Sequence, residues 1–330
     1  MRLRVFDSVA ELRGQFKDVA YELERRPSMA ILPSTGLHVL RQVMELLRLQ
    51  KDKDFDVVLG LDAGEAGILG AALGKEAGIN VSILAWGNEL EGHNPAKRSI
   101  LRNCELVMPV SRWAKANLIE SDFDEALMKV MPPGVDHGLF SPPRSRPKEL
   151  GIVTVTELRK GAGVDTLVDV LKALLDKGLD AFLTVVGTGP EAKALKRRTK
   201  EALLEGSVRF IGRVPHTKMP EVLRQHRVFA LVPRSIPDVA HPDFSLAVIE
   251  AASCGLGVVG TELGGLADSL RACSGAKVPA VGPTKIADVV ERVAGKLSLA
   301  VATEGEYGRS RSWAEMAEEL EGVLEDLVYE

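Results

Sequence analysis

The sequence predicts an α/β protein of two doubly wound domains, each a parallel sheet with helices on both faces. Three observations lead to this fold class. The chain has 330 residues, about twice the ~150 residues of one domain. Its strand-like runs, such as Asp56–Leu61, are continuously apolar, as in strands buried on both faces of a sheet. These runs alternate with helical patterns, stop at the proline-rich segment Ser141–Pro147 and then start again, which predicts a linker there.

The first half alternates strands and helices from its start. Each strand is a run of aliphatic residues, and each helix has apolar residues at i, i+3 and i+4. The predicted strands are Arg2–Phe6, Met29–Pro33, Asp56–Leu61, Val81–Trp86, Leu106–Val110 and Lys129–Met131. The predicted helices are Val9–Arg25, Gly36–Leu49, Ala63–Ala77 and a helix that contains Trp113 and is capped by Ser111.

The second half repeats this alternation after the linker. The patterns are the same, so a second parallel sheet is expected. The predicted strands are Gly151–Thr156, Phe182–Val186, Val208–Ile211, Val228–Val232 and Val258–Thr261. The predicted helices are Val164–Lys177, Pro190–Leu204, Met219–Gln225 and Leu246–Ser253.

The chain closes with an amphipathic helix. Ser312 and Glu315 form an S-x-x-E capping box, and an apolar stripe from Trp313 to Leu327 follows at helical spacing, as in a helix that packs on a sheet. We therefore expect a first domain at residues 1–142, a second at residues 149–310, and a helix at residues 311–330 that packs back on the first domain. Two such domains would place a ligand cleft between them, at the carboxyl ends of facing strands.

The composition excludes several classes of function. The net charge is −4 and the isoelectric point is near 6.0, so a global basic surface for nucleic acid is ruled out. Cys104, Cys254 and Cys273 are far apart and the six histidines are scattered, which argues against disulfides and metal sites and for a reducing compartment. No apolar run approaches the ~20 residues of a membrane span. We expect a cytoplasmic protein with no metal and no cofactor.

A glycine-rich turn raises the possibility of a dinucleotide site. Gly187–Ala192 has the spacing G-x-G-x-x-A between a strand and a helix, which is the context of such sites. However, Val208–Arg213 carries only the cations Arg209 and Arg213, with no acidic residue for the ribose, and Pro190 lacks an amide that would face a phosphate. A tight strand–helix turn is the favoured interpretation, and an NAD-dependent oxidoreductase is the less favoured one.

Three charged segments are interpreted as solvated surface. Asp54–Asp56 and Asp122–Asp124 precede strands or lie in turns, away from the edge where an open sheet binds its ligand. The basic segment Lys196–Lys200 is interpreted as an exposed helix face.

An ordered series of motifs carries a resemblance to a known family. Val130–Asp136, followed by Phe140–Pro142, is similar to a "PxGVDxxxFxP" motif that ends an N-terminal domain. The other matching segments, which occur in the order that the family has, are Ala85–Leu90, Val107–Arg112, Gly161–Leu167, Val185–Pro190, Val208–Val214, Phe229–Pro233, Phe244–Ala251, Gly255–Gly265 and Arg311–Trp313. Together these segments, from about Ala85 to Trp313, resemble the retaining group 1 (GT4) glycosyltransferases of the GT-B fold.

The resemblance implies a nucleotide-diphosphate sugar as donor and no metal ion. Arg159 and Lys160 would stabilise the leaving diphosphate, since they follow the first strand of the second half. Glu250 would accept hydrogen bonds from the ribose hydroxyls, and Asp243 would contact the sugar hydroxyls. The amides of the helix that starts near Ser245 would face phosphate. The residues implied in donor binding are Gly187, Gly212, Arg213, Phe244, Ser245, Leu246 and Glu250.

The resemblance also implies an acceptor on the side of the first half. The acceptor is a glycan, a lipid or a small molecule, and a lipid acceptor would bring the protein to the inner membrane surface. The residues expected to face the acceptor are Asp62, Glu65, Trp86, Gly87, Asn88 and Glu89.

The chain departs from the family pattern at several site positions. Trp86 replaces a histidine, and Pro242 stands where the first of two paired acids belongs, with Asp243 beside it. Glu157 and Ala162 stand where the family has an arginine and a lysine, so Arg159 and Lys160 are displaced cations. The loop after the first strand, Asp7-Ser8, also lacks a glycine-rich turn. These departures keep a second hypothesis open, a protein of the same fold that binds nucleotide sugar or a partner but transfers poorly.

Overall fold

The computed structural model divides the chain into two units. It describes residues 3–7, 29–33, 56–61, 74, 78–86, 102, 104–145, 147–237, 239, 241–278, 282–296 and 311–329. The first unit comprises Met1–Gly134 and Ser312–Glu330, and the second comprises Val135–Arg311. The chain therefore leaves the first unit after Gly134 and returns to it at Ser312. The three helices expected before Leu106 lie outside the described residues, apart from isolated positions.

The first unit contains a parallel sheet of five strands in the order β2-β1-β3-β4-β5. Continuous apolar runs form these strands, as expected for a sheet covered on both faces. The strands are β1 (Leu3–Asp7), β2 (Met29–Pro33), β3 (Val57–Gly60), β4 (Asn80–Ala85) and β5 (Leu106–Pro109). The predicted strand at Lys129–Met131 is wrong. That segment bonds to β5 through two amides, Lys129 N to Val107 O at 3.2 Å and Met131 N to Pro109 O at 2.8 Å, without forming a strand.

Two helices of the first unit begin at the predicted caps. Helix α1 (Arg112–Glu120) starts after Ser111, whose hydroxyl accepts a hydrogen bond from the Ala114 amide at 3.0 Å. The closing helix, here called α8 (Trp313–Tyr329), has the predicted capping box: the Glu315 amide donates to Ser312 Oγ at 3.1 Å and the Ser312 amide donates to Glu315 Oε2 at 2.6 Å. These bonds satisfy amides that a helix start leaves unpaired.

Helix α8 packs against β4 through its predicted apolar stripe. Asn80 Nδ2 donates to Leu327 O at 3.1 Å and ties the end of the helix to the sheet. A Cβ on Gly134 would overlap the backbone of Ser312. A glycine at this position therefore allows the chain segment before Val135 to contact the segment at the start of α8. The buried side chains of the helix are Trp313, Met316, Ala317, Leu320, Val323 and Leu324.

The second unit contains a parallel sheet of six strands in the order β11-β10-β9-β6-β7-β8. The strands are β6 (Leu150–Val155), β7 (Ala181–Val186), β8 (Val208–Gly212), β9 (Val228–Leu231), β10 (Gly257–Thr261) and β11 (Ala276–Val278). The helices are α2 (Val164–Asp176), α3 (Ala192–Glu201), α4 (Met219–Leu223), α5 (Leu246–Ser253), α6 (Leu266–Ala272) and α7 (Pro283–Lys296). The predicted strands and helices of this half are confirmed to within a few residues, whereas β11, α6 and α7 were not predicted.

The strand order divides the helices of the second unit between the two faces of its sheet. From β6 to β8 the chain moves along the sheet in one direction, and from β9 to β11 it moves in the other. Right-handed crossovers therefore place α2 and α3 on one face and α5 and α6 on the other. The apolar core on the first face joins Leu167, Leu171 and Leu174 of α2 to Ile286 and Val290 of α7. Among the described residues, no helix is long and apolar enough to cross a lipid bilayer.

Two glycines allow the loop after β6 to pack closely against the loop after β9. Gly163 has φ +83°, and a Cβ there would overlap the carbonyl oxygen of Val232. Gly161 has φ +80°, and its carbonyl oxygen accepts a hydrogen bond from the Arg234 amide at 2.8 Å. Both positions need the left-handed backbone that glycine adopts without strain.

A buried histidine joins α4 to the sheet of the second unit. His226 is 4% exposed; its Nδ1 bonds to Val222 O at 2.8 Å and its Nε2 to Thr184 Oγ1 at 2.7 Å. Since the carbonyl can only accept, Nδ1 carries the proton and the threonine hydroxyl donates to Nε2. Burial lowers the pKa of His226 to about 4 from its ordinary value of 6.5, and the nearby charge of Arg209 acts in the same direction.

We expect this histidine to make folding stability depend on pH. The unfolded chain binds a proton at His226 below pH ~6.5 and the folded chain does not until about pH 4, so stability is fully present above 6.5 and falls as the pH drops through this window. The lowered pKa corresponds to about 2–3 kcal/mol of stability lost between pH 7 and pH 4.5. Urea unfolding of the wild type and of His226→Gln at both pH values measures it. An equal pH dependence in the two proteins would contradict the assignment.

Candidate functional site

The residues expected to bind the donor diphosphate lie in the loop after β6. Arg159 is half-buried and Lys160 is exposed. The loop is compact, because the Arg159 amide donates to Glu157 O at 2.9 Å and the Ala162 amide donates to Arg159 O at 3.2 Å. Ala162, at the family's lysine position, is buried, and Glu157, at the arginine position, is exposed. The cationic groups of this loop are therefore those of Arg159 and Lys160.

Arg159 and Lys160 line a cavity of about 340 Å³, which also has residues of α2 and α3 in its walls. Arg234, which sequence reasoning missed, lines the same cavity. Its Nη2 donates to Asp165 Oδ2 at 2.6 Å and its Nη1 to Thr166 Oγ1 at 2.5 Å. The Gly161–Arg234 backbone bond places this arginine beside the predicted cations.

Glu250 is a buried carboxylate on α5, and its partner was not foreseen. His216 Nε2 lies 2.7 Å from Glu250 Oε1. The ring of Phe140 lies 5.1 Å from that of His216, between centroids, and tilts against it. Because a carboxylate only accepts, His216 donates from Nε2. The contact holds one oxygen of Glu250 and leaves the second to accept hydrogen bonds from a ligand.

The start of α5 has no side-chain cap in the part of the chain that the structure describes. Ser245 is the N-cap residue and its side chain makes no capping bond, while its amide donates to Ser269 Oγ at 2.7 Å. Phe244 and Leu246 are buried on either side of it, and Asp243 is half-buried. The first-turn amides of α5 are thus free of a side-chain cap and can face an anion.

The glycine-rich turn after β7 allows its backbone to pack closely against the neighbouring backbone at Thr156. Gly187 has φ +130°, and a Cβ there would overlap the carbonyl oxygen of Thr156. Its amide donates to the carbonyl oxygen of Gly212 at 2.8 Å. Helix α3 begins at Ala192, after Pro190. The geometry fits the tight strand–helix turn, with Gly212 (φ +74°) and the exposed Arg213 next to it.

The predicted donor residues fall into two groups within the second unit. Arg159 and Lys160 line the cavity on the side of α2 and α3, whereas Ser245 and Glu250 lie on α5, which covers the other face of the sheet. The structure brings Glu250 together with His216 and brings Arg159 and Lys160 together with Arg234.

Of the residues expected to face the acceptor, only Trp86 is described. It is 8% exposed, and its indole N–H donates to Leu61 O at 3.1 Å. In this state the indole packs in the first unit and has its polar atom satisfied. The other five, Asp62, Glu65, Gly87, Asn88 and Glu89, lie outside the described residues.

The remaining candidates carry structural roles in the part of the chain that the structure describes. Asp122 pairs with Arg102 at 3.0 Å, and Asp124 caps a short 3-10 helix by accepting a hydrogen bond from the Ala126 amide.

The three cysteines are free thiols and are buried. Burial raises the pKa of each thiol to about 12, so none of them is a thiolate nucleophile at neutral pH. The described residues contain no cluster of metal-ligating side chains.

Residues 139–295 match the family model described as glycosyl transferases group 1. Over 166 residues the chain is 31% identical to one of the subunits of phosphatidylinositol N-acetylglucosaminyltransferase from Homo sapiens, covering 50% of this chain and 33% of that protein. It is 25% identical to the GDP-mannose-dependent alpha-(1-6)-phosphatidylinositol monomannoside mannosyltransferase of Mycolicibacterium smegmatis, covering 76% of this chain and 68% of that protein. The match thus spans about a third of the human protein.

Two solved structures have the same fold over almost the whole chain. One is Anabaena Alr3699/HepE in complex with UDP, with a TM-score of 0.75 and 16% identity, covering 99% of this chain and all of that one. The other is a glycosyltransferase from Rickettsia africae, with a TM-score of 0.76 and 14% identity, covering 99% of this chain and 98% of that one. These likenesses confirm the predicted α/β fold of the GT-B type.

Proposed function

We propose that the protein moves a sugar from a nucleotide-diphosphate donor to an acceptor, on the premise that residues 139–295 match the family model of the glycosyl transferases group 1. The observation that carries the proposal is the buried Glu250 carboxylate on α5, held by His216 inside the matched segment. A desolvated carboxylate with one free oxygen is a strong acceptor for vicinal hydroxyl groups, such as those of a ribose. Arginine and lysine side chains on the loop after β6 supply positive charge for the phosphates.

The chemistry of the proposed transfer centres on charge. As the sugar–phosphate bond breaks, negative charge develops on the diphosphate, and cations and helix amides can stabilise it without a metal ion. We assign this role to Arg159, Lys160 and the first-turn amides of α5, with Asp243 on the sugar hydroxyls. Retention of configuration at the sugar belongs to the same proposal and follows the family resemblance.

The donor and acceptor classes rest on the relatives. Alr3699/HepE was solved with UDP, and the mycobacterial relative is named for GDP-mannose, which supports a nucleotide-diphosphate sugar and leaves the base open between uridine and guanosine. The human and mycobacterial relatives are both named for phosphatidylinositol compounds. We therefore propose an acceptor that carries a phosphorylated polyol, free or in a lipid, with the protein at the inner membrane surface when the acceptor is a lipid.

One observation favours a second candidate, a nucleotide-sugar-binding protein with little transfer activity. Glu157 and Ala162 stand where the family has cations; Glu157 is exposed and Ala162 is buried. Loss of one charge-stabilising group typically raises a barrier by about 2.7–4 kcal/mol. Release of UDP or GDP from the matching donor in the presence of a polyol phosphate separates the two candidates.

The decisive experiment is a binding panel with a matched pair of variants. Calorimetric titration with UDP, GDP, ADP and NADH is expected to show binding of UDP or GDP and none of NADH. Glu250→Ala is expected to weaken that binding about a hundredfold, since hydrogen bonds to a charged group contribute about 1.5–3 kcal/mol each. Glu221→Ala is the control, because Glu221 is exposed and pairs only with the neighbouring Lys218 among the described residues. Binding of NADH alone, or equal affinities for the two variants, would overturn the assignment.

A further inference from the structure

The cavity between α2 and α3 gathers more positive charge than the donor diphosphate needs. Five cationic side chains line it, from the loop after β6, from α3 and from the loop after β9: Arg159, Lys160, Arg197, Arg198 and Arg234. The chain as a whole is anionic, with a net charge of −4. Such a concentration of charge from separate parts of the sequence raises the local potential for an anion.

Two of these arginines are held in place by neighbouring side chains. Arg198 Nη2 donates to both oxygens of Asp169, at 2.9 and 2.7 Å, and Arg234 is bound by Asp165 and Thr166 of α2. An arginine has five N–H donors, so each guanidinium keeps donors for a ligand. Fixing them beforehand reduces the conformational entropy that binding would cost.

The start of α2 adds backbone donors to the same cavity. Val164 and Asp165, the first residues of the helix, line it, and the N-cap residue Gly163 has no side chain to cap them. The unpaired amides and the positive end of the helix favour a negative group.

Carboxylate side chains, which accept hydrogen bonds, also line the cavity, and they restrict the kind of ligand that it can bind. Asp165, Glu191 and Glu201 line it, and Arg197 Nε lies 3.7 Å from Glu201 Oε1. Carboxylates repel a bare polyanion but accept hydrogen bonds from hydroxyl groups. A volume of about 340 Å³ suits a small ligand.

We propose that this cavity is a binding site for a phosphorylated polyol, with the phosphate on Arg197, Arg198 and Arg234 and the hydroxyls on the carboxylates. This proposal rests on the proposed function and deepens it. Arg159 and Lys160, assigned above to the donor diphosphate, line the same cavity, so the phosphorylated substrate would bind next to the donor phosphates. The ligand is either a free polyol phosphate or the headgroup of a phospholipid.

The test compares Arg197→Ala/Arg198→Ala with Lys193→Ala/Lys200→Ala. The control removes two exposed cations from the same helix that do not line the cavity. Both arginines are also exposed, and surface ion pairs contribute about 0–1 kcal/mol, so both variants are expected to fold, as thermal melting checks. The probes are myo-inositol 1-phosphate, and vesicles of phosphatidylinositol in phosphatidylcholine against phosphatidylcholine alone.

The arginine variant is expected to bind the probe about tenfold or more weakly than the wild type, with the control within about twofold. Binding of the soluble probe identifies a free substrate, and binding of the vesicles alone identifies a lipid headgroup. Affinity for UDP or GDP is expected to stay within about twofold in the control. In the arginine variant it is expected to fall less than the affinity for the probe, because Arg159 and Lys160 stay in place. No binding of either probe by the wild type, equal losses in the two variants, or a matching loss of nucleotide binding would overturn the proposal.

Discussion

Replacing Arg159 and Lys160 together with alanine is expected to abolish nucleotide-diphosphate binding and sugar transfer. Both cations leave the loop after β6, where the family's own arginine and lysine positions hold Glu157 and Ala162. Each charge-stabilising group that is lost costs about 2.7–4 kcal/mol of barrier, so the loss of both would lower kcat/KM about ten-thousandfold to a millionfold. Titration with UDP or GDP and the rate of nucleotide release from the donor measure the two effects.

The control for this prediction is again Lys193→Ala/Lys200→Ala, which removes the same charge from the surface of α3. A general electrostatic effect of net charge would appear equally in both proteins. Unchanged nucleotide affinity in the Arg159/Lys160 variant would sink the assignment of these residues to the diphosphate. The fold is expected to survive, since backbone hydrogen bonds and the close contacts of Gly161 and Gly163 fix the loop.

Replacing Gly163 with alanine is expected to destabilise the second unit by about 4 kcal/mol or more. The new methyl group would overlap the carbonyl oxygen of Val232, and neither the start of α2 nor the end of β9 can move without breaking the Gly161–Arg234 bond. The left-handed backbone at φ +83° adds strain for any side chain.

Gly178→Ala is a matched control for this change. Gly178 has φ +80° and follows the other end of α2, and a Cβ there meets nothing within 4 Å. It therefore carries the backbone penalty alone, about 1 kcal/mol. Urea unfolding monitored by circular dichroism gives both values. Equal losses of stability in the two variants would show that the contact with Val232 is not rigid.

Most of the sheet of the second unit could be predicted because its strands are continuous apolar runs. Leu246–Ser253 agrees at both ends, and Val208–Ile211 differs by one residue. Strand β11 was missed because it is three residues long and has Lys277 at its centre. Helix α7 was also missed, although Ile286, Val290 and Ala294 form a stripe at i, i+4 and i+8 that could have revealed it.

The predicted strand at Lys129–Met131 failed for a different reason. The residues have the right propensity and do bond along β5, but Pro132 and Pro133 follow at once and cannot donate to a ladder. The local sequence pattern could not show how far the hydrogen bonding of this segment to β5 extends.

The partners of the site residues could not be predicted from local pattern. His216 and Glu250 are 34 residues apart and lie on different elements. Arg234, in the loop after β9, pairs with Asp165 on α2, 69 residues away in sequence. A histidine and an arginine beside the matched motifs were visible signals, but only the topology of the sheet shows what each contacts. The roles in donor binding stay predictions for all of the residues proposed: Arg159, Lys160, Gly187, Gly212, Arg213, Asp243, Phe244, Ser245, Leu246 and Glu250.

Because α8 belongs to the first unit, the two units can complete their folding in only one order while the chain is synthesised on the ribosome. The second unit, Val135–Arg311, is complete once its last residue has emerged, whereas the first still lacks the helix that covers β4. Until Trp313–Tyr329 is made, the apolar surface that receives Met316, Leu320 and Leu324 stays open. The half of the chain that is translated first is therefore the half that finishes folding last, and it depends on its final seventeen-residue helix to do so.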